Sequence, residues 1–78
     1  MIKEKAVFTL KTAREMANLT QKQAAERLDI SVDSLRNYES GKTYPDVPVL
    51  RRIEDLYNVS YDRLIFLPLD YDKTVNLV

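Results

Sequence analysis

The stretch of residues 20–39 constrains the fold of this chain more than any other, because it contains two closely spaced helix-starting signals. Thr20 is followed three residues later by Gln23, which is the spacing of a capping box at the start of a helix. Ser31 is a second residue of the type that caps helices. Apolar residues follow each cap at helical spacing. The stretch therefore predicts two short helices joined by a tight turn, the second of them over 32–40.

Three further helices are predicted around this pair, each after a residue whose side chain can cap it. The caps and helices are Thr9 before 10–18, Asp46 before a helix to about Tyr57, and Ser60 before a short fifth helix. In the fifth helix Leu64 and Ile65 point inward, and Pro68 ends it. The predicted fold class is all-α, a compact five-helix domain over 8–66, preceded by a short leader at 1–7 and followed by a tail at 67–78.

The tail at 67–78 has a pattern different from that of the helices. Leu67, Leu69 and Tyr71 partly alternate with other residues, including Asp70, which predicts an extended segment or short strand. Apolar residues in such a tail pack either on their own domain or on another subunit. Both interpretations stay open at this point.

Composition restricts the chemistry that the chain can perform. The 78 residues suit one domain, and they include no Cys and no His. A disulfide and a thiolate or imidazole metal site are therefore excluded, and the side chains most used for nucleophilic and acid–base catalysis are missing. No paired-acid or phosphate-loop spacing occurs either. We expect no metal, no cofactor, no small-molecule ligand and no enzymatic activity.

The distribution of charged and apolar residues indicates a compartment and a polarity. No apolar run approaches the length of a signal peptide or a membrane span, so we expect a cytoplasmic protein without a membrane partner. The formal net charge is zero, but residues 1–42 carry +2 and residues 43–78 carry −2. This polarity weakly favours a front face that turns toward phosphates.

The sequence from Phe8 to Phe66 resembles the lambda-repressor-like, Cro-type helix-turn-helix family. The matching residues are Leu19-Thr20-Gln21, Ala25-Glu26-Arg27-Leu28, Ile30-Ser31, Leu35, Tyr38-Glu39-Ser40-Gly41-Lys42, Pro45 and Asn58-Val59-Ser60. The set is specific, although each piece alone would mean little. The resemblance implies a DNA-binding domain whose helix at 32–40 lies in the major groove.

Two positions gain a structural interpretation from the resemblance. The family commonly pairs the residues at the positions of Arg14 and Glu39 in a partly buried ion pair, and the alternative is two unrelated surface charges. The usual turn glycine is replaced by Asp29. Since that position needs a positive φ, which Asp tolerates better than most residues, we predict Asp29 in the left-handed region.

The resemblance places four residues at the base edges, namely Val32, Asp33, Arg36 and Asn37. Asn37 can bond adenine in bidentate fashion, Arg36 can pair with guanine or a phosphate, and Val32 can meet a thymine methyl. Asp33 is open to two interpretations. It can accept from cytosine N4, or it can be a first-turn carboxylate that the helix dipole favours.

Four other residues are predicted to contact the DNA backbone. Gln21 begins the first helix of the pair, where the family grips a phosphate, and Lys42, Thr43 and Tyr44 follow the second helix. Contacts to phosphates position a domain without reading sequence. The alternative for each residue is an ordinary solvated polar surface, but their collection on one side of the motif favours the DNA backbone.

The resulting interpretation is a sequence-specific regulator of transcription that binds double-stranded DNA, with repression as the expected outcome. Because basic groups are few, we expect a homodimer on a palindromic operator, with the fifth helix and the tail at 67–78 as its contact surface. The alternative function is a protein-interaction module on the same fold, such as an antitoxin or antirepressor. The neutral net charge and Asp33 favour that alternative somewhat.

Overall fold

The computed structural model describes residues 6–66, and within them the chain forms four α-helices and two very short strands. The helices are α1 (Leu10–Met16), α2 (Gln21–Leu28), α3 (Val32–Ser40) and α4 (Val47–Tyr57). The strands are β1 (Phe8–Thr9) and β2 (Leu64–Ile65), and a single 3-10 turn at Tyr61–Arg63 precedes β2. The predicted extended tail at 67–78 lies outside the described residues.

The helix starts follow the predicted caps. Thr20 and Gln23 form the capping box, with both reciprocal hydrogen bonds present. Thr9, Ser31 and Asp46 each accept a hydrogen bond from a backbone amide in the first turn of the helix that follows. These side chains satisfy amides that have no partner inside the helix, which is why the four starts could be located from sequence.

The predicted fifth helix is wrong. After Ser60 the chain makes only the 3-10 turn, and Leu64–Ile65 then pairs in parallel with Phe8–Thr9. Successive side chains of a strand point to opposite faces. Leu64 is accordingly buried, whereas Ile65 is 40% exposed instead of pointing inward.

The core lies between α2, α3 and α4 and is closed by α1. Leu28, Leu35 and Ile53 are the largest side chains that are fully buried. Ala24 and Ala25 are also buried, at 0% and 1% exposure, and their small side chains let neighbouring helices approach α2 closely. This packing holds α3 against the domain through one narrow side.

The described part of the chain contains neither a membrane-spanning helix nor a cluster of acidic side chains that could bind a metal ion. No helix between residues 6 and 66 is long and apolar enough to cross a bilayer. Across the same residues no group of three or more Asp or Glu side chains gathers closely enough to hold a metal ion.

The turn between α2 and α3 confirms the prediction for Asp29, which has φ 61° and ψ 44°. The amide of Ile30 donates to the carbonyl of Ala25 at 3.0 Å and closes the turn. Asp at this position makes the domain less stable than glycine would, since glycine enters the left-handed region without a steric penalty.

We expect Asp29→Gly to leave the free energy of unfolding unchanged or to raise it by up to about 1 kcal/mol. Chemical denaturation of the two proteins measures this difference. Leu28→Gly, one residue earlier and inside α2, is the contrasting variant and should be strongly destabilising. A clear fall in stability for Asp29→Gly would contradict the account of the turn.

Candidate nucleic-acid interface

Helix α3 is attached to the domain along a narrow stripe. Leu35 is its only fully buried apolar residue, and Tyr38 is half-buried against the core. A helix held in this way leaves a wide flank free for a partner. The flank carries the four residues predicted to read bases.

The four predicted readers differ in their exposure. Asp33 and Arg36 are exposed, whereas Val32 and Asn37 are half-buried. Val32 packs partly against the core, so it does not stand on a fully exposed flank as the sequence predicted. Its side chain therefore spans the boundary between the core and the open surface of α3.

Asp33 and Arg36 form an ion pair on the open flank. Arg36 Nη1 donates to Asp33 Oδ1 at 3.0 Å, and both side chains are largely exposed. An exposed pair of this kind contributes little to stability, about 0.3–0.5 kcal/mol. The main effect of the pair is electrostatic, because the Arg36 guanidinium partly neutralises the negative charge of the Asp33 carboxylate. The repulsion between Asp33 and a phosphate is therefore weaker than the sequence suggests.

Arg14 and Glu39, which the resemblance pairs, form a bidentate ion pair that links α1 to the end of α3. Arg14 Nε donates to Glu39 Oε2 at 2.6 Å, and Arg14 Nη2 donates to Oε1 at 3.3 Å. The two side chains are only 9% and 6% exposed. The hydrogen bond to Glu39 raises the pKa of Arg14, and this effect outweighs that of burial, which lowers the pKa. The guanidinium therefore stays charged in the folded protein.

Two further hydrogen bonds join this ion pair to the start of α2. Arg14 Nη1 donates to the carbonyl of Leu19 at 2.8 Å, and Gln21 Nε2 donates to Glu39 Oε1 at 3.0 Å. Gln21 is half-buried, and its amide is held in a fixed orientation by the carboxylate. The network thus sets the position of the first residue of α2 relative to the end of α3.

Tyr57, at the end of α4, completes the surroundings of the ion pair. Its side chain is buried, with 6% exposure, and its hydroxyl has no hydrogen-bond partner among residues 6–66. Burial raises the pKa of Tyr57 to about 12 from an ordinary value of 10.0, and the negative charge of Glu39 acts in the same direction. The folded state therefore favours the neutral phenol.

This shift predicts a loss of stability at alkaline pH. Because the folded pKa lies above the unfolded one, the contribution of Tyr57 is complete below pH 10 and is lost as the pH rises toward 12. The slope in that window is at most about 1.4 kcal/mol per pH unit. Tyr57→Phe should remove this part of the alkaline loss and, at pH 7, keep stability within about 1 kcal/mol of the parent. Equal alkaline slopes for the two proteins would contradict the shift.

The residues after α3 are divided between two surfaces. The exposed Lys42 and Thr43 lie at the end of α3, where their backbone amides donate to the carbonyl of Asn37 at 2.9 and 3.4 Å. The ring of Tyr44 meets the ring of Phe66 edge-on at 6.4 Å, on the side of α4. The structure therefore brings Lys42 and Thr43 next to the predicted base readers and directs the Tyr44 ring toward another surface.

Two short helices joined by a tight left-handed turn, the second with an open flank, define a helix-turn-helix domain. A family model described as helix-turn-helix matches residues 10–64, which is most of the chain. The chain belongs to this helix-turn-helix family, of the Cro/C1 type.

Curated relatives cover the same region. Over 56 residues, 72% of this chain, it is 48% identical to the HTH-type transcriptional regulator ImmR of Bacillus subtilis, of which it covers 44%. It is 39% identical over 56 residues to the HTH-type transcriptional activator BcrR of Enterococcus faecalis, covering 72% of this chain and 28% of BcrR. It is 38% identical over 55 residues to the cryptic phage CTXphi transcriptional repressor RstR of Vibrio cholerae, covering 70% of this chain and 49% of RstR. The chain thus spans less than half the length of these relatives.

Proposed function

We propose that this protein is a transcriptional regulator that binds specific sequences in double-stranded DNA, with α3 in the major groove. The observation that carries the proposal is the open flank of α3, which is anchored through Leu35 and tied to α1 by the Glu39 ion pair. A rigid helix with one free side has the shape that the major groove admits. Its first two turns present Val32, Asp33, Arg36 and Asn37 toward base edges.

The proposed contacts divide into reading and positioning. Asn37 offers a side-chain amide for adenine, and Arg36 exchanges its bond with Asp33 for guanine or a phosphate. Asp33, released from Arg36, can then accept from cytosine N4. Val32 supplies an apolar contact for a thymine methyl, because part of its side chain remains outside the core.

Phosphate contacts come from both ends of the helix pair. Gln21 begins α2, where the first backbone amides have no partner inside the helix itself, and its side chain is already oriented by Glu39. Lys42 and Thr43 follow α3 and face the neighbouring stretch of backbone. Tyr44 joins these contacts only after its ring moves away from Phe66, which lies on another surface. These contacts fix the register of α3 without reading sequence.

The proposed functional unit is a homodimer on a palindromic operator, because one copy has few cationic groups near α3. Two copies double both the base contacts and the phosphate contacts, with half-sites about one helical turn apart. We propose repression as the outcome, since occupying a duplex site excludes another protein from it without any further contact. The relatives' names support a regulator, and they include one activator and one repressor.

The salt dependence of duplex binding tests the proposal. For two copies we expect log K to fall with log salt at a slope of about −2 to −4, which corresponds to a few neutralised phosphates. Lys42→Gln should reduce the magnitude of that slope by about 2, one phosphate per copy. Lys11→Gln, at an exposed position on α1, is the matched control and should leave the slope unchanged. A protein-interaction module would show no duplex binding under the same conditions.

A further inference from the structure

The ion pair between Asp33 and Arg36 lies on the part of α3 that is proposed to face the bases. Arg36 Nη1 donates to Asp33 Oδ1 at 3.0 Å, and the side chains of Asp33 and Arg36 are 85% and 60% exposed. Among residues 6–66 neither side chain makes another hydrogen bond or ion pair. The pair can therefore open without disturbing the core, and opening it leaves both charges in need of new partners.

The two charges need different partners in the major groove. Guanine presents two acceptors, N7 and O6, which match the donors of an arginine. Cytosine presents the N4 amino donor. Thymine and guanine present acceptors, and adenine presents the acceptor N7 beside its N6 donor. Cytosine is therefore the base that gives the Asp33 carboxylate a donor without an adjacent acceptor.

We propose that Asp33 makes the reading of guanine by Arg36 conditional on a cytosine at the neighbouring base pair. The proposal rests on the proposed function, which places α3 in the major groove, and goes beyond it by coupling two contacts. Arg36 leaves Asp33 for guanine when the carboxylate gains cytosine N4 in return. At any other neighbouring base the carboxylate would be left without a donor in a groove from which water is displaced. Arg36 then stays with Asp33, and guanine is not read.

The spacing along α3 places the two contacts on adjacent base pairs. Residues three apart lie on one face of a helix, with a rise of about 4.5 Å between them. Successive base pairs are about 3.4 Å apart. The two charged groups begin 3.0 Å from each other, so they reach neighbouring bases and not distant ones. The recognition element is therefore a guanine and a cytosine on adjacent base pairs in each half-site.

The same ion pair weakens binding to DNA that lacks this element. Attraction between cationic side chains and phosphates supplies nearly all of the affinity for non-specific duplexes. While Arg36 stays with Asp33, the carboxylate offsets its charge and adds repulsion toward phosphates. Specificity therefore rises because the competing sites are bound less tightly, as well as because the correct site is bound well.

Four duplexes test the coupling by competition binding. The reference is the operator that the parent protein selects from random DNA. In each half-site of the other three, the guanine becomes adenine, the cytosine becomes thymine, or both change. For the parent protein each single change should lose nearly as much affinity as both together. The product of the two single losses should then exceed the double loss by about tenfold or more.

Asp33→Ala removes the condition and gives the decisive comparison. The loss on changing guanine should become independent of its neighbour, so that the product of the single losses and the double loss agree within about twofold. Affinity for a random duplex should rise by roughly threefold or more at low salt, because one carboxylate per copy is gone. Helical circular dichroism should be retained, since the pair is exposed. Lys42→Gln is the control: it should weaken binding to all four duplexes by similar factors and keep the coupling.

Three results would overturn the proposal. They are a consensus without a guanine and a cytosine on adjacent base pairs, independent losses in the parent protein, and unchanged coupling in Asp33→Ala. Each of them leaves the regulator standing, because the parent protein still selects a sequence. A parent protein that selects no sequence contradicts the proposed function and this proposal together, so the two failures are distinguishable.

Discussion

Replacing Arg14 by alanine should lower the free energy of unfolding by about 3–5 kcal/mol, because it leaves the buried carboxylate of Glu39 without its cation. Glu39 is only 6% exposed, and Arg14 donates two hydrogen bonds to it and one to the carbonyl of Leu19. A domain of this size has a total stability of roughly 3–5 kcal/mol. The variant should therefore be largely unfolded at room temperature, as denaturant titration followed by circular dichroism would measure.

Two further variants separate the buried charge from the loss of a contact. Adding Glu39→Leu to Arg14→Ala should recover part of the stability, since no unpaired charge then remains in the interior. Arg36→Ala removes an arginine from the exposed pair with Asp33 and should cost no more than about 0.5 kcal/mol. Additive losses in the double variant would show that Arg14 and Glu39 do not act as a pair.

Replacing Asn37 by alanine should have the largest effect on sequence-specific binding. A bidentate contact to a base discriminates by about 1–3 kcal/mol, and two half-sites double this to about 2–6 kcal/mol. Specific affinity should fall by roughly 30-fold or more, while binding to an unrelated duplex stays the same. Competition binding with an operator duplex and a random duplex measures both values.

Lys42→Gln gives the contrast for this measurement. Since Lys42 is proposed to contact a phosphate, its loss should weaken binding to the operator and to the random duplex by similar factors. If Asn37→Ala behaved in the same way as Lys42→Gln, Asn37 would not be a reader of bases.

The features that sequence predicted are those that depend on a few neighbouring residues. Thr20 and Gln23 form a capping box through interactions within four residues, so the start of α2 could be predicted from the residues alone. The prediction for Asp29 rests on the resemblance, which marks this turn position as one that usually holds glycine.

The features that sequence missed depend on distant partners. Apolar residues after a capping serine favour a helix, which is what the sequence predicts for Leu64 and Ile65. Their strand pairing with Phe8 and Thr9 joins opposite ends of the domain and covers only two residues. A ladder so short leaves no alternating pattern to detect. Contact with a distant strand, and not local propensity, decided the conformation.

The candidate site shows the same division. The ion pair between Asp33 and Arg36 had a local signal, opposite charges three residues apart on one helix, and could have been predicted. The hydrogen bond from Gln21 to Glu39 had none, because these residues lie in different helices and become neighbours only after the helices pack. The orientation of Gln21 is therefore a product of the fold.

The central claim is that α3 reads base edges in a two-fold DNA site, and selection of bound sequences from random duplex DNA tests it most directly. We expect a palindromic consensus with half-sites about one helical turn apart. We also expect Asn37→Ala to lose the preference at one base pair in each half-site and to keep the others. No enriched sequence from the parent protein, or an unchanged consensus from the Asn37 variant, would contradict it.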